Sequence, residues 1–234
     1  SPMAWVSQGQ DPRDLSNDWL VGYCPIKDAW GFDHYCDGGS VAAHIYGFLE
    51  LSKPNFSDPG AWNNMDVLTT CNGNMTLNEY KTQYGLWAIH QSPMVLSVDL
   101  RNFNKTSSSR AKDPRRRLLT DKELSECEAI MTNIEVIAVN QDSNRDQGQL
   151  KYVGDKIEVY VKPLIDHAAA VVILNKSAQA MNYTLKFALT GFPKDVPCNV
   201  RDLWKRSNIG MYKESVTVEL PASDALLLKV AAAF

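Results

Sequence analysis

The feature that most limits how this chain can fold is a switch in the spacing of its apolar residues near position 142. Before it, helix-like and strand-like runs alternate. Thr76-Leu77-Asn78-Glu79 is a capping box, in which the Thr hydroxyl and the Glu carboxylate each satisfy a free backbone N–H, so a helix starts there. Leu77, Tyr80, Tyr84 and Trp87 follow at helical spacing and predict one apolar face. Pro93 cannot continue that helix. Met94 to Val98 predicts a buried strand, with Asp99, Leu100, Arg101 and Asn102 at its C-terminal end. A second helix fits Leu124 to Met131. Glu135 to Val139 reads as another buried strand, ending in Asn140, Gln141 and Asp142. Strand, helix, strand, helix, strand, with polar residues at the strand ends, is the order of a parallel α/β barrel.

After Asp142 the helical spacing stops. Lys156 to Val161, Ala168 to Leu174, Tyr183 to Phe187, Val200 to Trp204, Ser215 to Leu220 and Ala225 to Val230 are short apolar or alternating runs. Turn residues separate them, among them Gly154-Asp155, Asn175-Lys176-Ser177, Gly191-Phe192-Pro193 and Pro221. This pattern predicts an antiparallel β-sandwich. The expected division is residues 1–145 as an α/β domain and 146–234 as the sandwich. A chain of 234 residues with 44% hydrophobic content can fill one large core or two small ones.

The net charge of −3 offers nothing to nucleic acid or to an anionic membrane. No apolar run is long enough to span a bilayer, and no signal peptide is visible. Ser1 in place of an initiator Met predicts a chain that is processed, trimmed or incomplete. The five cysteines, Cys24, Cys36, Cys71, Cys127 and Cys198, include no metal-type pair. Their odd number predicts one free thiol, or one bonded to another polypeptide. Five N-x-S/T sequons stand at Asn55, Asn74, Asn104, Asn175 and Asn182. Chance gives roughly two in a chain this rich in Asn, so these five are candidate glycosylation sites. They predict a glycoprotein of the secretory pathway, be it extracellular, vacuolar or lysosomal.

The densest polar stretch is Pro59-Gly60-Ala61-Trp62-Asn63-Asn64-Met65-Asp66-Val67-Leu68. A turn, an aromatic ring, two amides and a carboxylate packed together are costly to bury unless they hydrogen-bond. One reading is a polar turn ahead of a strand. The other is the lip of a pocket for a hydroxyl-rich ligand. "DPGAWNNMDVL", "NGNMTLNEYKTQYGLWAIHQSPMVLSVDLRN" and "IEVIAVNQD", in this order, resemble the second half of the barrel of glycoside hydrolase family 27, the α-galactosidases and α-N-acetylgalactosaminidases. Val200 to Trp204, "VRDLW", resembles the C-terminal β-domain of the same enzymes. The resemblance implies the second half of a (β/α)8 TIM barrel followed by the sandwich, a carbohydrate ligand, and no metal or cofactor.

It also implies roles for residues. Trp62, Asn63 and Asp66 stand in the family's "W-N-D-P-D" loop, with Asn64 and Met65 replacing its first carboxylate and its Pro. Ser1 to Trp5 resembles the "S-x-C-E-W" strand, with Met3 and Ala4 at its sugar-selecting positions. Trp5 reads as core or as a platform for a sugar ring. The family's acid/base aspartate is best matched by Asp33, with Asp37 the runner-up. Both also read as solvated loop or cap residues, and a second register through Asn17 to Leu20 supplies no carboxylate there. His34 and His44 read as structural. The family's nucleophile lies in a "Y-x-K-x-D" motif that this chain lacks. An N-terminal chain or fragment that completes the barrel is therefore the expected partner, and homo-oligomerisation is left open. Lys105 to Arg117 reads as an exposed basic loop, a processing site, or a patch for an acidic partner.

Overall fold

The computed structural model describes residues 62, 64, 65, 67–71, 75–98, 100–103 and 119–233, apart from the side chains of Arg101 and Asn102. Helix α1 spans Leu77–Ile89, and its capping box forms as the sequence requires. Thr76 accepts from the Glu79 N–H at 3.3 Å, and Glu79 accepts from the Thr76 N–H at 2.6 Å. Helix α2, Asp121–Met131, starts on a second capping box, between Thr120 and Glu123. Helix α3 spans Ile134–Asn140, where a strand over Glu135 to Val139 is predicted. The reason is local. Asn133 caps it, its Oδ1 accepting from the N–H groups of Glu135 and Val136 at 3.1 and 3.3 Å. A short β-branched run does not distinguish a strand from a buried helix by spacing alone.

The expected strand over Met94 to Val98 is reduced to one parallel bridge, Leu68↔Leu96. Nor is it buried, for Val95 is 52% and Leu96 38% exposed. A barrel strand is buried only when it has neighbours on both edges and a closed interior. Here the described residues supply one neighbour.

The sandwich has eight strands: β1 Gln149–Val153, β2 Ile157–Leu164, β3 Ala168–Asn175, β4 Met181–Lys186, β5 Cys198–Asp202, β6 Ser207–Tyr212, β7 Ser215–Leu220 and β8 Asp224–Ala232. A six-stranded sheet runs in the order β1-β2-β3-β8-β5-β6, and β4 pairs with β7 in a two-stranded sheet. Every pairing is antiparallel. β1 and β6 escape the sequence reading. Both are sheet edges, largely exposed, so no apolar run marks them.

β3 shows why its sequence is continuously apolar. All eight of its residues are buried. Ala168, Ala170, Val172 and Leu174 face a core shared with α1, while Ala169, Val171 and Ile173 face the core beneath β4 and β7. A central strand covered on both faces loses the polar alternation that β7 keeps. The shared core also corrects the reading of α1 as helix with one apolar face. Tyr80, Thr82, Gln83, Tyr84, Gly85, Leu86, Trp87, Ala88 and Ile89 are all buried. The helix is wedged between α2 and α3 on one side and β3 and β8 on the other.

Candidate functional site

Asp33, Asp37, Trp5, Asn63 and Asp66 lie outside the described residues, as do Asn55, Asn74 and Asn104. The described part of the loop over 62–68 is defined by what holds it. Trp62 is 39% exposed, Asn64 is exposed, and Met65 is fully buried. The Met65 N–H donates to Ser92 Oγ at 2.8 Å, across 27 residues of chain. Ser92 is fixed in turn: its N–H donates to Trp87 O at 3.1 Å and its carbonyl accepts from Asn140 Nδ2 at 2.9 Å. Gln141 Nε2 donates to Asn140 Oδ1 at 2.6 Å. The loop thus rests on the C-terminal ends of α1 and α3, at a point where a buried backbone N–H needs a partner.

The chain then enters the parallel bridge. The Leu68 N–H donates to Val95 O at 2.7 Å and the Ser97 N–H to Leu68 O at 3.0 Å. Thr69 sends its N–H and hydroxyl to Gln83 Oε1 at 3.1 and 3.2 Å. Leu68 points into the shared core, whereas Val67 is 40% and Leu100 64% exposed, beside the exposed Val95 and Leu96. Among the described residues, these exposed branched side chains lie beside extended segments joined by a single bridge.

The polar residues predicted at a strand end do other work. Asn140 and Gln141 brace Ser92. Asp142 Oδ1 accepts from the N–H groups of Asn144 and Ile165 at 2.8 and 3.2 Å. Gln91 Nε2 donates to the carbonyls of Asp142 and Asn144, and the buried Lys162 donates to those of Asn144 and Asp146. Asp142 therefore ties the α/β part to the sandwich at Ile165, while Asn140 and Gln141 bond within the α/β part. Ser92, Gln83 and Asn140 are supports that the sequence reading missed. No local signal marks them, because each acts on a residue distant along the chain.

Three shifted titratable groups sit where the two parts meet. Burial pushes His90 down to about 4, against a bond from its ring Nδ1–H to Gly148 O at 3.0 Å. Its ring stands edge-on to Tyr160 of β2. Burial lowers Lys162 to about 8, with Asp142 and Asp146 pulling the other way. Burial raises Asp224 despite its ion pair with Lys81 at 2.6 Å. Among the described residues, no three His, Cys, Asp or Glu side chains are grouped to hold a metal ion.

Cys71 and Cys127 form a disulfide between the segment ahead of α1 and α2. Cys198 is a free thiol. It is fully buried, which rules out a bond from it to another polypeptide in this fold. Of the two described sequons, Asn182 is exposed on β4. Asn175 stands in different surroundings. It is fully buried, and its Nδ2 donates to Gln179 O and Pro221 O, both at 2.8 Å.

Two family models match the chain. One, described as alpha galactosidase A, covers residues 14–142, and the other, the alpha galactosidase C-terminal beta sandwich domain, covers residues 154–230. Human alpha-galactosidase A is 33% identical over 190 residues, which are 80% of this chain and 37% of that protein. Alpha-galactosidase A of Cellvibrio japonicus is 29% identical over 234 residues, 93% of this chain and 51% of its own length. Alpha-galactosidase of Cyamopsis tetragonoloba is 28% identical, with 70% and 35% covered. In three dimensions the chain is similar to alpha-galactosidase I of Mortierella vinacea, with a TM-score of 0.68 and 25% identity over 89% of this chain and 48% of that one. The chain thus spans between about a third and a half of the length of these curated relatives.

Proposed function

The chain belongs to the α-galactosidase family, glycoside hydrolase family 27, and on that premise we propose that it is the C-terminal portion of a retaining α-galactosidase-like glycoside hydrolase. Its nucleophile comes from a separate N-terminal chain that completes the barrel. The observation that carries this reading is the bare apolar strip of Val67, Val95, Leu96 and Leu100, beside a loop that resembles the family's active-site loop. The further strands of a barrel are what such a strip fits.

In this reading two carboxylates about 5 Å apart divide the work of hydrolysis. The partner's aspartate attacks the anomeric carbon. Asp33, with Asp37 as the alternative, protonates the leaving oxygen and then activates water. Trp62 and Trp5 supply ring faces for the sugar, while Asn63 and Asp66 hydrogen-bond its hydroxyls. Ser92 holds the Met65 backbone and so sets the pose of that loop. The compartment is the secretory pathway, which the Cys71–Cys127 disulfide supports. A second reading, a family-27-like pseudoenzyme acting as a carbohydrate-binding or structural subunit, is favoured by Asn64, Met65, Met3 and Ala4 at positions where the family carries other residues.

Native mass spectrometry of the isolated protein with N-terminal sequencing tests the partner. A second chain bearing a "Y-x-K-x-D" sequence is the expected result, and a chain isolated alone counts against it. Hydrolysis of an aryl α-galactoside by that complex tests the chemistry. Asp33→Asn is expected to abolish turnover with folding intact, and Asp66→Asn to weaken sugar binding. An unmodified complex that binds galactose without turnover selects the pseudoenzyme.

A further inference from the structure

The sequons are the sequence motifs that the glycosidase reading leaves unused, and the two described ones stand in opposite surroundings. Asn182-Tyr183-Thr184 lies along β4. Side chains two apart on a strand share a face, so the Asn amide and the Thr hydroxyl that define the sequon point the same way. That way is outward: Asn182 and Thr184 are exposed, while Leu185 packs fully into the core. Asn182 faces Glu219 and Thr184 faces Thr217 on β7, the two hydroxyls meeting at 2.9 Å. This outer face of the two-stranded sheet is polar, and among the described residues β4 has a strand neighbour on one side only.

Asn175-Lys176-Ser177 lies at the end of β3 and is built into the fold. Asn175 Oδ1 accepts from the Ser177 N–H at 2.9 Å, and its two amide hydrogens bind the Gln179 and Pro221 carbonyls. The side chain ties two turns together from a fully buried position. Losing a buried amide partner leaves a carbonyl unsatisfied.

We propose that Asn182 is an N-glycosylation site of this protein and that Asn175, although a sequon, is not. The donor is a lipid-linked oligosaccharide pyrophosphate. Asn182 Nδ2 forms a bond to the anomeric carbon of the first sugar as that carbon's bond to the phosphate oxygen breaks. The lipid pyrophosphate leaves with the bonding electrons, and the amide gives up one proton. A glycan on the exposed Asn182 leaves the fold intact, whereas one on the fully buried Asn175 would replace an amide hydrogen that the fold uses. The glycan then stands over the outer face of β4 and β7 and blunts an edge that could otherwise pair with another strand. Glycosylation of Asn182 rests on the secretory compartment proposed above and not on hydrolytic activity.

The test is site mapping on the full-length chain secreted from a eukaryotic host. Enzymatic deglycosylation in heavy-oxygen water converts each glycosylated Asn to a tagged Asp, which peptide mass spectrometry locates. A tag at Asn182 and none at Asn175 is expected. Asn182→Gln and Thr184→Ala should each remove one glycan's worth of mass, while Ser177→Ala, which destroys the other sequon and keeps the Asn175 amide, should remove none. An untagged Asn182, a tagged Asn175, or a loss of glycan on Ser177→Ala would each overturn the proposal.

Discussion

The two parts of the molecule bury their strands by different routes. In the sandwich, β3 has strands on both edges and a core on each face, and all of its residues are buried. In the α/β part, the two extended segments at Leu68 and Leu96 share one bridge and leave Val67 and Val95 exposed. The sandwich pairs its strands antiparallel, three of its six pairings between consecutive strands, so a stretch of fewer than 90 residues forms both sheets. Parallel strands pair across whole helices, and their sheet closes only when every strand of the barrel is present. Among the described residues the sandwich forms both of its sheets, whereas the parallel pairing of the α/β segment amounts to one bridge. What stabilises the segment is the sandwich itself, through the core that Trp87 shares with Val172 and Leu227.

That dependence can be broken, and the largest effect is expected at its centre. Trp87→Ala should cost about 3–5 kcal/mol. Chemical unfolding followed by tryptophan fluorescence and by far-ultraviolet circular dichroism should shift together. A sandwich transition left in place would show that the two parts fold separately. Next comes the covalent tie. Cys71→Ser opens a loop closed across a sequence separation of 56 and should cost about 2–4 kcal/mol. Hydrogen exchange should then speed up in α2 more than in β3, and equal acceleration in both would count against a local role.

His90 offers a pH test of the junction. Its imidazole is held down to about 4 in the fold, against about 6.5 in an unfolded chain. Between those values the unfolded state binds the extra proton, so stability falls as pH drops from about 6.5 to about 4, by up to about 3 kcal/mol, and this contribution is flat below. His90→Asn, which keeps a donor for Gly148 O, should flatten that part of the stability curve. An unchanged slope would move the acid sensitivity elsewhere. Smaller still, Thr76→Ala removes the α1 cap and should cost about 1 kcal/mol in a denaturant midpoint. At the bottom of the scale, Lys122→Ala deletes an exposed i,i+4 contact to Glu126 at 3.9 Å. It should leave the melting temperature unmoved, since such pairs are screened by water and salt.

Much of this architecture is legible from residues alone. The capping box at Thr76 places α1 within a residue of its observed start, and Ser215 to Leu220 is read with its observed bounds. Strong local chemistry and strict alternation survive into the fold because nothing distant competes with them. Edge strands β1 and β6 are invisible because exposed strands need no apolar residues. The run over Glu135 to Val139 misleads because its apolar residues fit either element, and Asn133 decides for helix. Of the candidate site, the sequence points to the loop around Trp62, while the bond that holds it, from Met65 to Ser92, leaves no trace in either residue's neighbourhood.

By itself, the sequence determined the order of most elements, the cap that starts α1, the change from mixed to all-strand architecture, and the family resemblance in its loops. These are local properties, set by backbone hydrogen bonding and side-chain spacing over a few residues. Only the tertiary structure decided that α1 is buried nearly all round, that Cys71 pairs with Cys127 while Cys198 stays free, and that Asn175 is an internal tie while Asn182 faces solvent. Each of those outcomes depends on which distant atoms arrive beside a residue, and burial and pairing are properties of that meeting, not of the residue.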